Sequence, residues 1–413
     1  MTTIIQFLIV FVILVLVHEF GHFIFAKWSG ILVREFSIGM GPKLVAWHRH
    51  HTTYTLRLLP LGGYVRMAGW QDEDDEIKPG TMLAIETNGQ GVVSRINLSQ
   101  KTTLQGGIPV QVDHVDLVHA LEVSGYANGD ESELKTWRVD HDATIIEEDG
   151  TEVVIAPEDV QFQNAKLWKR MLVNFAGPLN NFLLAIVVFI GLGLANGVAV
   201  TNTNQIGQIQ PNSPAAVAGL KADSHLQTIA GQKIHSFEDI GPILAKHKGQ
   251  PVKLVATKAG VTQHLTITPS KQGTIGVYTA VSHNPLGAIK YGFTASWGVA
   301  SSIFHVLGQM VTGHFSLNQL AGPVGIYTMT ASAAKAGIAS LVVFLAALSV
   351  NLGIMNLIPI PVLDGGKLLL NLIELIRRKP LKQEHESMVT LIGAGIMFAL
   401  IIAVTINDIM RSF

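Results

Sequence analysis

His18-Glu19-Phe20-Gly21-His22 lies inside an apolar run, Ile4 to Phe25, built almost wholly from Ile, Leu, Val and Phe. At about 1.5 Å of rise per residue, a helix of this length crosses a hydrocarbon layer of about 30 Å. Ionisable groups at membrane depth are costly, and where they occur they mark functional sites. On a helix His18 and His22 fall one turn apart on one face, with Glu19 beside them. This is the spacing at which two imidazoles share a metal ion. Two imidazoles do not complete a metal site, so a third ligand is expected elsewhere in the chain.

The composition agrees with a membrane setting. The 413-residue chain is 48% hydrophobic and 14% charged, with a mean hydropathy of +0.37. Soluble domains average about 25% charged. A net charge of −1 carries no bulk basic signal, so nucleic acid is not an expected partner. Cysteine is absent, so there is no disulfide framework, and any metal is held by His and carboxylates rather than thiolates.

Further long apolar runs are Met171 to Ala195, Ala339 to Ile360 and Met388 to Ile406, giving four expected spans. The first run has no basic stretch before it and no small-x-small site after it, so it reads as a retained helix rather than a cleaved signal. Lys27, Arg34, Lys43, Arg49, Arg57 and Arg66 follow the first span, and Lys166, Lys169 and Arg170 precede the second. Arg377, Arg378, Lys379 and Lys382 lie between the third and fourth. The positive-inside rule then puts those segments in the cytoplasm, and both termini and region 196–338 outside.

The expected organisation is a multi-span α-helical membrane protein. A first helix (1–28) carries the histidine pair, a β region follows (29–70), then a cytoplasmic β-rich insert (71–165) and a second helix (171–195). An extracytoplasmic α/β module (200–270), an amphipathic helix and loop at the outer membrane surface (284–338), a broken third helix (339–376) and a fourth helix (388–409) complete it. In the β region, Thr53 to Arg57 and Gly63 to Met67 read as short strands joined by glycine turns. They form either a juxtamembrane hairpin or a sheet edge that pairs with an unfolded substrate segment.

The insert opens with the acidic run Gln71 to Glu76, a solvated loop by pattern. Short strands are expected at Gly91 to Asn97, Gly107 to Val112, Leu117 to Val123, Ala143 to Glu147 and Thr151 to Ile155. His114, His119 and His141 read as scattered surface histidines. In the second span, Asn174, Asn180 and Asn181 either glue helices together or line the cavity around the metal. In the outer module Ser213-Pro214 opens a short helix and Ser236 caps a second one reaching Lys246, with strands Val252 to Thr257 and Thr262 to Thr268 after it.

The third span breaks at Asn356-Leu-Ile-Pro359-Ile-Pro361-Val-Leu-Asp364-Gly365-Gly366. Two prolines cannot continue a helix, and Asp-Gly-Gly turns sharply. Irregular backbone at membrane depth is tolerated only where protein buries it or where it lines a cavity. Asp364 is therefore the natural third ligand; the alternative is that it caps the helix that follows. With His18, His22 and Asp364 as ligands, a zinc ion keeps one position for water and lowers that water's pKa toward neutrality. Glu19 is then the general base that takes the water's proton and returns it to a leaving amine.

Together these motifs resemble the site-2 protease family of intramembrane zinc metalloproteases, and within it the bacterial regulator-of-sigma-E protease branch. The likeness rests on the two stretches already quoted and on Phe36-Ser-Ile-Gly-Met-Gly-Pro42, Leu58-Leu-Pro-Leu-Gly-Gly-Tyr64, Phe175-Ala-Gly-Pro-Leu-Asn180 and Ala321-Gly-Pro-Val-Gly325. It implies zinc on His18, His22 and Asp364, Glu19 as catalytic acid/base, and Asn356 helping to hold the substrate strand. It also implies that region 29–70 is a membrane-reentrant β hairpin and that the outer module is a PDZ-like domain. Ser213-Pro-Ala-Ala-Val-Ala-Gly-Leu220 stands at the place of that domain's signature, whereas Lys221-Ala-Asp-Ser-His-Leu226 lacks the usual Gly-Asp. Exclusion of bulky ectodomains is thus its implied role. The 71–165 insert resembles that of Gram-positive members. Implied partners are the lipid bilayer and single-pass membrane proteins, such as anti-sigma factors or remnant signal peptides, cut by regulated intramembrane proteolysis at the bacterial plasma membrane. Competing readings are a zinc enzyme with Glu374 as third ligand, an inactive PDZ-bearing scaffold, and a metal transporter, for which the polar residues form no path across the bilayer.

Overall fold

The structure, a computed structural model, describes residues 2–69, 77–313, 316–379 and 383–412. The acidic run Gln71 to Glu76 lies outside the described residues. The chain forms two compact units, Met1–Ala185 with Gly298–Phe413, and Ile186–Trp297.

Helix α1 (Thr2–Trp28) is apolar all round apart from the histidine stretch. It leads into two long strands, β1 (Val33–Arg49) and β2 (Thr52–Met67), which pair with each other. Their register is bulged, so each strand works as two arms. Val33–Ile38 pairs with Gly63–Met67 on one side, while Glu35–Ile38 pairs with Thr53–Leu56 on the other. Val45–Arg49 then pairs with the far side of Thr52–Leu56. The two short strands expected from sequence are the two arms of β2. The bends between arms fall at Gly39, Gly41 and Gly62, whose φ values of 87°, 81° and 87° suit glycine.

The insert is one six-stranded sheet of β3 (Met82–Thr87), β4 (Val93–Asn97), β5 (Ile108–Asp116), β6 (Glu122–Ala127), β7 (Leu134–Ile146) and β8 (Glu152–Val154). The order is β4-β3-β5-β6-β7-β8, and β4 also pairs with β7, so the sheet curls around a core of Ile85, Ile96, Val110, Val123 and Val153. No strand forms at Leu117–Ala120. The Asp116 carboxylate accepts the backbone N–H groups of Val118 (2.9 Å) and His119 (2.8 Å), which makes that stretch a turn, and β6 starts after it.

Helix α2 (Leu167–Asn196) follows. The second unit holds β9 (Val198–Ala199), β10 (Ile206–Ile209), α3 (Pro214–Val217), β11 (His225–Ile229), β12 (Gln232–Lys233), α4 (Ile240–Ala245), β13 (Val252–Lys258), β14 (Val261–Ile267), β15 (Val277–Thr279) and β16 (Val281–Ser282). Its main sheet runs β12-β11-β13-β14, and β10 pairs with β15, a strand the sequence pattern does not announce. Ser213 Oγ accepts the Ala216 N–H at 3.3 Å, with Pro214 opening α3. Ser236 and Asp239 form a capping box ahead of α4.

Helix α5 (Pro285–Val311) carries Ile289, Phe293, Trp297, Phe304 and Val311 exposed. After it come α6 (Pro323–Lys335), α7 (Ile338–Asn356), α8 (Asp364–Arg377) and α9 (Gln383–Ser412). Helix α6 falls where sequence suggested only a loop. Its start is capped from far along the chain, because Asp408 Oδ2 on α9 accepts the N–H groups of Gly322 (2.8 Å) and Gly325 (2.9 Å). Among the described residues, four helices are long and apolar enough to cross a membrane: Thr3–Trp28, Leu167–Asn196, Ile338–Asn356 and His385–Arg411. On α9, Met388, Leu391, Ile392, Ile396 and Phe398 remain exposed, a surface suited to lipid rather than water.

Candidate metal centre

His18, His22 and Asp364 converge, all three buried. The Nε2 atoms of the two histidines are 3.3 Å apart, and Asp364 Oδ2 stands 3.2 Å from His18 Nε2 and 3.4 Å from His22 Nε2. Three donors each at about 2.0–2.2 Å from a tetrahedral zinc stand roughly 3.3–3.5 Å apart. The triangle therefore has the edges such an ion demands. Asp364 Oδ2 is buried and accepts no hydrogen bond, despite its nearness to both rings, so it is an acceptor lacking a well-aligned donor. Two imidazoles and one carboxylate also make up a catalytic rather than a closed structural donor set.

The backbone explains how these atoms meet. Asp364 is the first residue of α8, and Leu363, not Asp364, occupies the N-cap position. The aspartate side chain caps nothing and turns toward the rings. Residues 357–363 fold back over the start of α8, so a Cβ at Gly365 would stand 2.2 Å from Leu357 O, and one at Gly366 2.1 Å from Ile360 O. The two glycines permit that return. From the other side, α2 packs against the rings: His22 Nδ1 donates to Val173 O at 2.8 Å.

A cavity of about 660 Å³ opens beside the three residues, and Glu19 and Asn356 line it too. Asn356 ends α7 and donates its amide to Leu352 O one turn back at 3.0 Å. Glu374 is elsewhere, in a part-buried ion pair with Arg170. His119 and His141 are exposed and paired with Glu158 and with Asp142 and Asp159.

The cavity also has members that sequence reasoning missed: Glu35, Arg57, Tyr64, Glu147 and Lys367. Glu35 is buried and accepts from Thr55 Oγ1 at 2.5 Å and from Arg57 Nη2 at 2.9 Å. Its available signal was a lone acid between apolar Val33 and Phe36 in the arm Val33–Ile38. Glu147 comes from the insert and had none. The β2 arm Gly63–Met67 forms one wall, and a Cβ on Gly63 would touch Glu19 Cγ at 3.6 Å. Among the described residues, the strand paired with that arm is Val33–Ile38.

Apolar helices of spanning length that carry a His-Glu-x-x-His site define a membrane metallopeptidase. The chain belongs to peptidase family M50, whose model matches residues 6–400. It is 51% identical to "Probable protease eep" of Enterococcus faecalis, over 100% of both chains. A "Putative zinc metalloprotease" of Streptococcus pyogenes serotype M6 is 48% identical over 100% of both chains, and one of Lactococcus lactis is 44% identical over 100% of this chain and 99% of its own. The protein is accordingly an intramembrane zinc metalloprotease.

Proposed function

We propose that His18, His22 and Asp364 hold the zinc of this metalloprotease and that Glu19 is its general acid/base. The observation that carries this is the near-equilateral triangle of donor atoms, with edges of 3.2–3.4 Å, opening on the same cavity as Glu19. The chemistry supplied at such a centre is a water acidified toward neutrality and a polarised scissile carbonyl. Glu19 takes the proton of that water as its oxygen bonds to the carbonyl carbon, then delivers it to the leaving nitrogen as the C–N bond breaks.

A peptide bond within a substrate helix is already hydrogen-bonded and shielded. Its unwound backbone needs new partners in an apolar setting. The position of the Gly63–Met67 arm beside Glu19, in the wall of the cavity, supports strand addition there, with Asn356, which lines the same cavity, helping to hold the strand. Region 29–70 acts as a membrane-reentrant sheet in this reading, and 71–165 is a cytoplasmic insert. The 200–270 module is a PDZ-like filter outside the cell that excludes large ectodomains. Substrates are single-pass membrane proteins already trimmed outside, such as anti-sigma factors, or remnant signal peptides. Because Lys27 follows the histidine pair closely, the cut falls near the cytoplasmic end of the substrate's span.

Expression of the Glu19→Gln form tests the assignment. Zinc should remain bound, cleavage should cease, and intact single-pass proteins should accumulate on the enzyme. A Glu19→Gln protein that still cleaves would overturn it.

A further inference from the structure

We propose that Asn181 is a positioning residue for His18: its amide oxygen accepts the Nδ1–H of the ring and thereby holds the tautomer whose Nε2 faces the metal. This rests on the reading of His18, His22 and Asp364 as ligands. Helix α2 presents Val173, Gly177 and Asn181 to the histidine pair at i, i+4 and i+8, one stripe of the helix. Each member of the stripe meets a ring. Val173 O lies 2.8 Å from His22 Nδ1. A carbonyl only accepts, so that nitrogen carries a proton, and in the neutral ring that binds a metal His22 Nε2 keeps its lone pair. Gly177 has no side chain, and a Cβ there would stand 2.3 Å from His22 Nε2 and 2.7 Å from His18 Cε1. The rings therefore lie directly on the helix backbone.

Asn181 faces the second ring. It is fully buried; the structure sets its Nδ2 3.1 Å from His18 Nδ1 and leaves its Oδ1 without a partner. Only one end of that amide has a partner. Amide oxygen and nitrogen have nearly the same shape, so the proton on the ring decides which end meets it. A ring that offers Nε2 as a lone pair has its proton on Nδ1, and only the amide oxygen can accept that proton. Ser349 Oγ donates to Asn181 O at 2.8 Å, pinning this residue from α7. The two histidines are thus oriented by one helix, His22 through a backbone carbonyl and His18 through a side chain. A partner on the distal ring nitrogen fixes the ring and raises its basicity as a ligand, and its loss typically costs 10–100-fold in metal affinity.

Zinc retention against a graded chelator, on the full chain in detergent, tests this with Asn181→Asp, Asn181→Leu and His22→Ala. Aspartate can accept but not donate, so Asn181→Asp should hold zinc within a few-fold of the parent. Asn181→Leu, of similar volume and unable to accept, should lose about 10–100-fold in affinity. Its proteolysis should return when zinc is added in excess, with KM unchanged, which a packing defect would not allow. Two results overturn the proposal: Asn181→Leu binding zinc as tightly as the parent, or Asn181→Asp losing as much as Asn181→Leu while both retain parental helix content. Failure of the ligand reading would show separately, as zinc retained by His22→Ala.

Discussion

A methyl group at position 177 sets two residue-level effects against each other. Alanine favours a helix over glycine by about 1 kcal/mol. Yet its Cβ would stand 2.3 Å from His22 Nε2, so the ring must leave the position in which it faces Asp364. We expect Gly177→Ala to keep or gain helix content by circular dichroism while bound zinc, measured by elemental analysis, falls roughly tenfold or more. Glu35 poses the opposite case, a charge that belongs only with its partner. Arg57→Ala would leave the buried Glu35 carboxylate without its guanidinium partner, though Thr55 Oγ1 still donates to it. Removing one partner of a buried pair costs about 3–5 kcal/mol, so thermal unfolding in detergent should show that order of loss. Adding Glu35→Gln should recover part of it, because the uncompensated charge is then gone.

At the scale of elements, the insert is tied to the β1–β2 sheet. Arg34 Nε donates to Val154 O at 2.8 Å, Lys43 Nζ to Thr151 Oγ1 at 3.1 Å, and Arg66 Nη1 to Glu147 Oε1 at 2.5 Å. Thr53 Oγ1 donates to Glu152 O as well. None of this was legible in sequence, since each bond joins residues far apart along the chain. By contrast His18, Glu19, His22 and Asp364 stood out because charge and broken helix are expensive in an apolar run, and that cost is local. Helix α6 was missed for the reverse reason: its cap, Asp408, is remote. Within the insert, His141 on β7 joins the turn at Glu158–Val160 through Asp159. Its hydrogen bonds to Asp142 and then Asp159 raise its pKa above the ordinary 6.5. A raised folded-state pKa stabilises fully below the ordinary value, and the contribution fades as pH rises through the raised one. Amide-exchange protection of that turn, corrected for intrinsic rate, should therefore fall across that window, and His141→Gln should flatten the dependence.

For the whole molecule, the decisive quantity is the side of the membrane on which each part lies. In the orientation proposed above, the four helices of spanning length among the described residues would leave both ends on one side, and the clusters Lys166–Arg170 and Arg377–Lys379 would put that side outside. That proposed orientation would set the 200–270 module where it could screen ectodomains and the insert where the cleaved product would leave. The absence of cysteine makes the question directly accessible, because any single cysteine introduced is the only thiol to label. Val261 in the 200–270 module and Lys135 in the insert are both exposed, so a thiol at either should disturb little. On intact cells a membrane-impermeant maleimide should label Val261→Cys and spare Lys135→Cys, and permeabilisation should bring the second up to the first. The reverse pattern would invert the topology. It would move the cut to the outer end of the substrate's span and remove the module's role as an outer filter, while leaving the zinc centre itself untouched.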